Sequence, residues 1–328
     1  MDMPGRAVDC PDGDIEALRR RYPDGLRFVV GDTHGEQPTL RALLEKIRFD
    51  PKRDRVYLLG DYNAGGDPRR LLEYIGKYYD PDPLEPGLHL IRGNHERELW
   101  PLYMLETLPD ILVLRGQGLN FFLVHAGMVA SAFELICADM AAAPERQAFA
   151  YRLDDAACCH DAPLRQIVWS RRGLYSQRSH WRVWPSERWL LQNAACILHG
   201  HTPYSFFHIQ ERRGYGDRSL FFPRQRIWFA EDLQSFDIDS DVKGRNAHGE
   251  TYRGLSCLCL EVLEEIAARD EGAVSIEGLC AGPCPVFSQE LVERWGWEPG
   301  GDIDAVLRAR PEQRTIAVDA FGRPYLRD

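Results

Sequence analysis

The stretch LRFVVGDTHGEQPTLRALLEKIRFDPKRDRVYLLGDYNAGG, residues 26–66, decides the fold class of this chain. An apolar run at 26–30 stops at Gly31-Asp32, helical spacing follows at 38–47, and a second apolar run at 55–59 stops at Gly60-Asp61. Short apolar runs bounded by glycine read as buried strands, and a helical span between two of them reads as a β-α-β unit with parallel strands. Both acids then stand just past the end of a strand.

The pattern extends in both directions. A helix is predicted at 68–78, opened by Pro68, which a first helical turn accepts, and a strand at 89–92 stops at Gly93. Further strands are predicted at 120–124, 196–198, 227–229, 235–238 and 255–260. Residues 128–193 read mainly as helix, a lid or flank over the strand ends; within them 165–188 are rich in Arg and Trp and suit either an anionic-substrate platform or a solvated helical cap. Residues 1–24 read as an outer leader with a helix at 15–20. After residue 260 the chain is expected to leave the core, with helices at 289–295 and 303–310 capped by Ser288 and Asp302, then a short hairpin. No internal repeat is visible. The expected division is a leader at 1–24, a catalytic domain at 25–262 with a helical insert at 128–195, and a small α/β extension at 263–328.

Composition limits the class of molecule. The 328 residues are 44% apolar and contain no continuous apolar run of membrane-spanning length, and the first residues lack the pattern of a secretory signal, so a cytoplasmic protein without membrane contact is expected. Nine cysteines at irregular spacings argue for reduced thiols; Cys257 and Cys259 alternate as on one strand face, and Cys280 and Cys284 have no matching pair for zinc. A net charge of −10 opposes general nucleic-acid binding, which depends on clustered basic residues.

Five blocks carry the chemistry: GDTHG at 31–35, GDYNAGG at 60–66, RGNHE at 92–96, VHAG at 124–127 and HGHTP at 199–203. Any one alone is commonly a turn or a core histidine. Together, each following a predicted strand, they supply carboxylate, imidazole and amide oxygen at one sheet edge. That donor set suits two divalent ions, Mn first, with Fe or Zn as alternatives, over Mg or Ca. Asp32 and His34 can face one ion, Asp61 can bridge, and Asn94, His125 and His201 can complete the other. Such a pair would clamp a phosphoryl group and acidify a water for direct hydrolysis. His199 reads as a core or supporting residue beside His201.

These blocks resemble the fingerprint of the metallophosphoesterases, in particular the bacterial PPP-family, calcineurin-like protein phosphatases: GDxHG, GDxVDRG, GNHE, a His-Ala-Gly block and a late histidine. The resemblance covers residues 27–261. It implies a four-layered α/β/β/α sandwich, a dinuclear metal centre and phosphomonoester hydrolysis, with phosphorylated protein or peptide as substrate. Carried over residue by residue, it implies that Asp32, His34 and Asp61 hold the first metal and that Asp61, Asn94, His125 and His201 hold the second. It further implies His95 as general acid, and Arg92 and Arg171 as phosphate-binding residues.

One block departs from the fingerprint. Where the family has an acid and an arginine, this chain has Ala64 and Gly65, with Asp67, Arg69 and Arg70 the nearest candidates to replace them. An ordinary helix start is the simpler reading of those three. Weaker acid assistance favours good leaving groups, so phosphotyrosine is expected to be accepted at least as well as phosphoserine. The His-Ala-Gly block also resembles diadenosine tetraphosphate hydrolases, which implies a small phosphorylated nucleotide as the alternative substrate. A third expectation is a metal-stabilised protein that binds phosphorylated partners without turnover.

Overall fold

The computed structural model describes residues 6–63, 65–98, 108–154, 164, 167, 184–202, 218–240, 254–290, 300–303, 306, 312–321 and 323–327. They build two stacked sheets. The five-stranded sheet runs β13-β12-β2-β3-β4, from Val286–Glu290, Gly254–Cys259, Arg27–Val30, Arg55–Leu58 and Gly87–Leu90. Strands β2, β3 and β4 are parallel, joined by helices α2 (Gln37–Lys46) and α3 (Pro68–Ile75), as the opening stretch predicts.

The ten-stranded sheet runs β1-β9-β10-β11-β8-β6-β5-β7-β14-β15. Its members are β1 (Arg6–Ala7), β5 (Ile111–Arg115), β6 (Asn120–Val124), β7 (Ala148–Leu153), β8 (Ala195–His199), β9 (Ser219–Phe222), β10 (Ile227–Ala230), β11 (Ser235–Asp237), β14 (Gln313–Val318) and β15 (Pro324–Arg327).

Period-two alternation along the central strands of this sheet explains the layering. Leu112, Leu114, Phe121, Leu123, Cys196 and Leu198 join the core that contains the five-stranded sheet, α2 and α3. Their neighbours Ile111, Val113, Phe122, Val124 and Ile197 pack instead with Phe133 and Ile136 of α5 (Ala130–Ala142) and Leu190 of α6 (Glu187–Gln192). Helices, two sheets and helices make the four layers.

Three expectations are corrected. Residues 148–153 are strand β7, not helix: Ala148 and Ala150 face one core, Phe149, Tyr151 and Leu153 the other, and pairing with β5 and β14 on either side overrides the helical preference of alanine. Residues 286–290 are strand β13 paired with β12, so Ser288 lies within a strand and not at a helix start, residues 291–295 of the expected helix lying outside the described ones; its backbone N–H and its hydroxyl turn to Asp12. The chain does not leave the core after 260. Helix α7 (Leu260–Arg269) spans the expected domain boundary and buries Leu263 and Ile266, followed by α8 (Ile276–Ala281).

The leader is likewise tied in. Arg6 and Ala7 pair with β9, and α1 (Ile15–Arg21) sends Arg19 to the buried Asp54. The expected helix at 303–310 is helical at 303 and 306, its other residues lying outside the described ones, and the closing hairpin is β14–β15. Among the described residues, no helix is long and apolar enough to cross a membrane.

Candidate metal centre

All candidate donors sit at C-terminal strand ends. β2 leads to Asp32, β3 to Asp61 and β4 to Asn94, which opens the short helix α4 (Asn94–Glu98). From the other sheet, β6 leads to His125 and β8 to His201, these two strands also being parallel. Sheet stacking thus brings together ends that are far apart in sequence.

The turns that carry them are tightly held. Glu96 accepts backbone N–H groups from Asp61 (2.8 Å), Tyr62 (2.7 Å), Asn63 (3.2 Å) and Gly93 (2.8 Å), so one carboxylate binds the GDYNAGG turn to the RGNHE turn. Burial, then the nearby Asp61, pushes its pKa up to about 7. Gly60, at φ 110°, lies so close to Gly93 that a side chain would strike the Gly93 backbone. His34, Asp61 and His201 adopt left-handed φ values of 46°, 57° and 65°, backbone strain of the kind that accumulates at functional sites.

Two groups of donors result. Asp61, His125 and His201 present ligand atoms that all lie within 4.8 Å of one another, and so do Asp32, His34 and Asp239. His125 Nδ1 lies 2.8 Å from the Leu59 carbonyl, which fixes that nitrogen as the N–H and turns Nε2 inward as a lone-pair donor. His125 Nε2 stands 2.7 Å from Asn94 Oδ1, 3.1 Å from His201 Nδ1 and 3.4 Å from Asp61 Oδ1. His34 lies 3.8 Å from Asp32 and 3.9 Å from Asp61, between the two groups. The six residues read as ligands from the sequence therefore converge.

The chemistry of this set fits divalent cations. Burial, then the charges of Asp239 and Asp61, raises the Asp32 carboxyl well above the usual range, because buried like charges cannot all ionise without a counter-charge. A pair of cations between these carboxylates would supply it. Mixed imidazole and carboxylate donors suit transition ions.

Asp239 was missed in the sequence, although it carries the same signal as Asp32: an acid just past a predicted strand, here the one at 235–238. His199 is buried and turns Nδ1 to within 3.6 Å of Asp237 Oδ2, its register partner on β11.

The other expected residues have different placements. His95 is partly open, its Nε2 3.7 Å from Asp61 Oδ2, and its carbonyl accepts from the Asn63 amide at 2.9 Å. Asp67 is the N-cap of α3, accepting the Arg70 N–H at 3.1 Å, while Arg69 pairs with Glu73 on the exposed helix face. Arg92, expected at the phosphate, is 1% exposed and grips the equally buried Asp110 through Nε at 2.9 Å and Nη2 at 2.5 Å, a pairing that suits a framework role. Arg171 and most of the Arg and Trp-rich stretch lie outside the described residues.

Among curated proteins, similarity is found with the symmetrical bis(5'-nucleosyl)-tetraphosphatases of Mannheimia succiniciproducens, 38% identical over 103 residues, 30% of this chain and 32% of that one, and of Photorhabdus laumondii, 36% over 77 residues, 23% and 26%. The chain thus spans about a third or less of the length of these two relatives. Solved structures of similar shape include a protein serine/threonine phosphatase from Saccharomyces cerevisiae, 15% identical, covering 90% of this chain and 84% of that one at TM-score 0.43. Another is the cold-active protein-tyrosine phosphatase of Shewanella, 17% identical, covering 72% and 77% at TM-score 0.40. A calcineurin-like phosphoesterase family model matches residues 28–220, more than half of the chain, over the strands that bring Asp32, Asp61, Asn94, His125 and His201 together, and the protein belongs to that family.

Proposed function

We propose that the protein is a hydrolase of phosphate compounds with good leaving groups, and that a dinucleoside polyphosphate is its preferred class of substrate. The observation that carries the hydrolase reading is the pair of donor groups, the buried Asp61-His125-His201 and the largely buried Asp32-His34-Asp239, at one edge of both sheets. Two divalent ions held there, Mn first and Fe or Zn as alternatives, would polarise the phosphoryl oxygens and activate the attacking water. Around them the chain itself holds the geometry: Glu96 locks the two turns, the Leu59 carbonyl orients His125, and His95 stands at the open side to hand a proton to the departing oxygen.

The substrate class is inferred from the one block that departs from the family pattern. The block that supplies an acid and an arginine in the family pattern has Ala64 and Gly65, and Asp67, three residues after Ala64, serves as a helix cap. A phosphate leaving from an anhydride needs little protonation, a phenol with a pKa near 10 needs more, and a serine alkoxide more still. The names of the curated relatives support the anhydride. Phosphotyrosine is the second reading, favoured by the same departure at Ala64 and Gly65.

The test uses metal-stripped protein restored separately with Mn, Fe or Zn, with Asp61→Asn as the blank. Diadenosine tetraphosphate, a phosphotyrosine peptide and the matched phosphoserine peptide are compared at equal concentration. Turnover is expected in that descending order, with nucleoside diphosphate as the nucleotide product. Fastest turnover of phosphoserine would sink the substrate proposal, and no turnover of any of the three would favour a binding protein.

A further inference from the structure

The two sheets touch at a point the family pattern does not mark. A side chain on Gly31, at the end of β2, would collide with the Ile238 carbonyl just past β11, so the strand ends that carry Asp32 and Asp239 meet backbone to backbone. Asp239 is 2% exposed, and its N–H is taken by Asp237 Oδ1 at 3.1 Å, which fixes the turn that carries it. On the other side of Asp32, the His201 N–H lies 3.1 and 3.2 Å from the two carboxylate oxygens, and a side chain on Gly200 would strike one of them. Asp32 is therefore pinned between the His201 turn and the Asp239 turn, with His34 close enough for all three ligand atoms of Asp32, His34 and Asp239 to reach one ion.

We propose that Asp239 is a further protein ligand of the first metal ion, beside Asp32, His34 and the bridging Asp61. The inference rests on the two-ion reading above and deepens it. A buried carboxylate this close to another is costly unless a cation sits between them, and His34 at the same distance supplies the nitrogen donor that an adventitious acidic cluster lacks. It also makes the two ion positions chemically unequal. The first has three carboxylates and one imidazole; the second has one shared carboxylate, an amide oxygen and two imidazoles. Carboxylates suit Mn better than imidazoles do, so the advantage of Zn over Mn should be smaller at the first position than at the second.

Metal content tests this without reference to turnover. The stripped full-length chain is titrated with Mn(II) alone, bound ions are counted by elemental analysis after gel filtration, and the manganese electron paramagnetic resonance spectrum is recorded. The expectation is two ions and a spin-coupled spectrum for the wild type. Asp239→Asn should keep one ion, bind a second at least tenfold more weakly and give the spectrum of isolated Mn. If Asp239→Asn does not fold, Asp239→Glu keeps the charge but displaces the oxygens, and should change the affinity of one ion at least tenfold and alter the coupling.

A folded Asp239→Asn that holds two coupled ions at wild-type affinity would overturn the proposal, as would an Asp239→Glu indistinguishable from wild type or a wild-type chain that never takes a second ion. Loss of one ion without any turnover of the phosphate compounds would leave Asp239 a ligand and remove the hydrolase reading. Turnover with two ions kept in Asp239→Asn would do the reverse.

Discussion

Arg92 shows how burial decides between two roles for the same residue type. An arginine beside GNHE invites a phosphate, yet here its guanidinium is enclosed and bidentate on Asp110, whose Oδ2 also accepts the Leu153 N–H at 2.7 Å and so ties the RGNHE turn to β7. Removing one partner of such a pair leaves an uncompensated buried charge, which costs roughly 3–5 kcal/mol. Arg92→Met is accordingly expected to lose that much stability in urea unfolding of the metal-free protein. In whatever fraction remains folded, KM for a phosphate substrate should stay within about twofold. A large rise in KM at unchanged stability would return Arg92 to phosphate binding.

At the level of elements, α3 separates capping from catalysis. Its first turn has Asp67 as N-cap and Pro68 at the position where a missing N–H does no harm. Asp67→Ala should cost about 1 kcal/mol, and Asp67→Ser, which keeps a capping oxygen, only a few tenths. Thermal unfolding checks both, and turnover should follow neither; a loss of turnover shared by Ser and Ala would mean that the carboxylate assists His95 after all. The elements legible in the sequence were those whose own pattern suffices: β2, β3 and β4 as apolar runs ending in glycine, and α2 and α3 between them. Strands β7 and β13 were not legible, because their residues become strand through partners distant in sequence, β5 and β14 for the one and β12 for the other. The site divides in the same way. The donors in recognisable blocks were readable, while Asp239 depends on the contact between β2 and β11, which only the stacking of the two sheets creates.

For the molecule as a whole, the question is whether a catalytic unit ends at residue 262. Beyond that point β13 forms the edge of the five-stranded sheet, the Cys259 N–H is held by the Pro285 carbonyl at 2.8 Å, and β14 pairs in parallel with β7. Leu263, Ile266, Val274, Leu279, Val286, Phe287 and Ile316 are all buried there, seven apolar side chains at 4% exposure or less. At roughly 1.5–3 kcal/mol each, their removal forfeits on the order of 10–20 kcal/mol. A domain's net stability is only about 5–15 kcal/mol. The loss therefore equals or exceeds the margin, before the exposed edge of β12 and its tendency to pair with other chains are counted. A chain ending at residue 262 is expected to show no cooperative thermal transition, to aggregate on gel filtration and to take up no stoichiometric Mn(II), while the full chain does the opposite under the same conditions. A folded, metal-binding 262-residue fragment would instead make the C-terminal segment an addition to the sandwich; its failure would mean that the metal centre, though assembled from residues 32–239, exists only because the last sixty-six residues close both sheets.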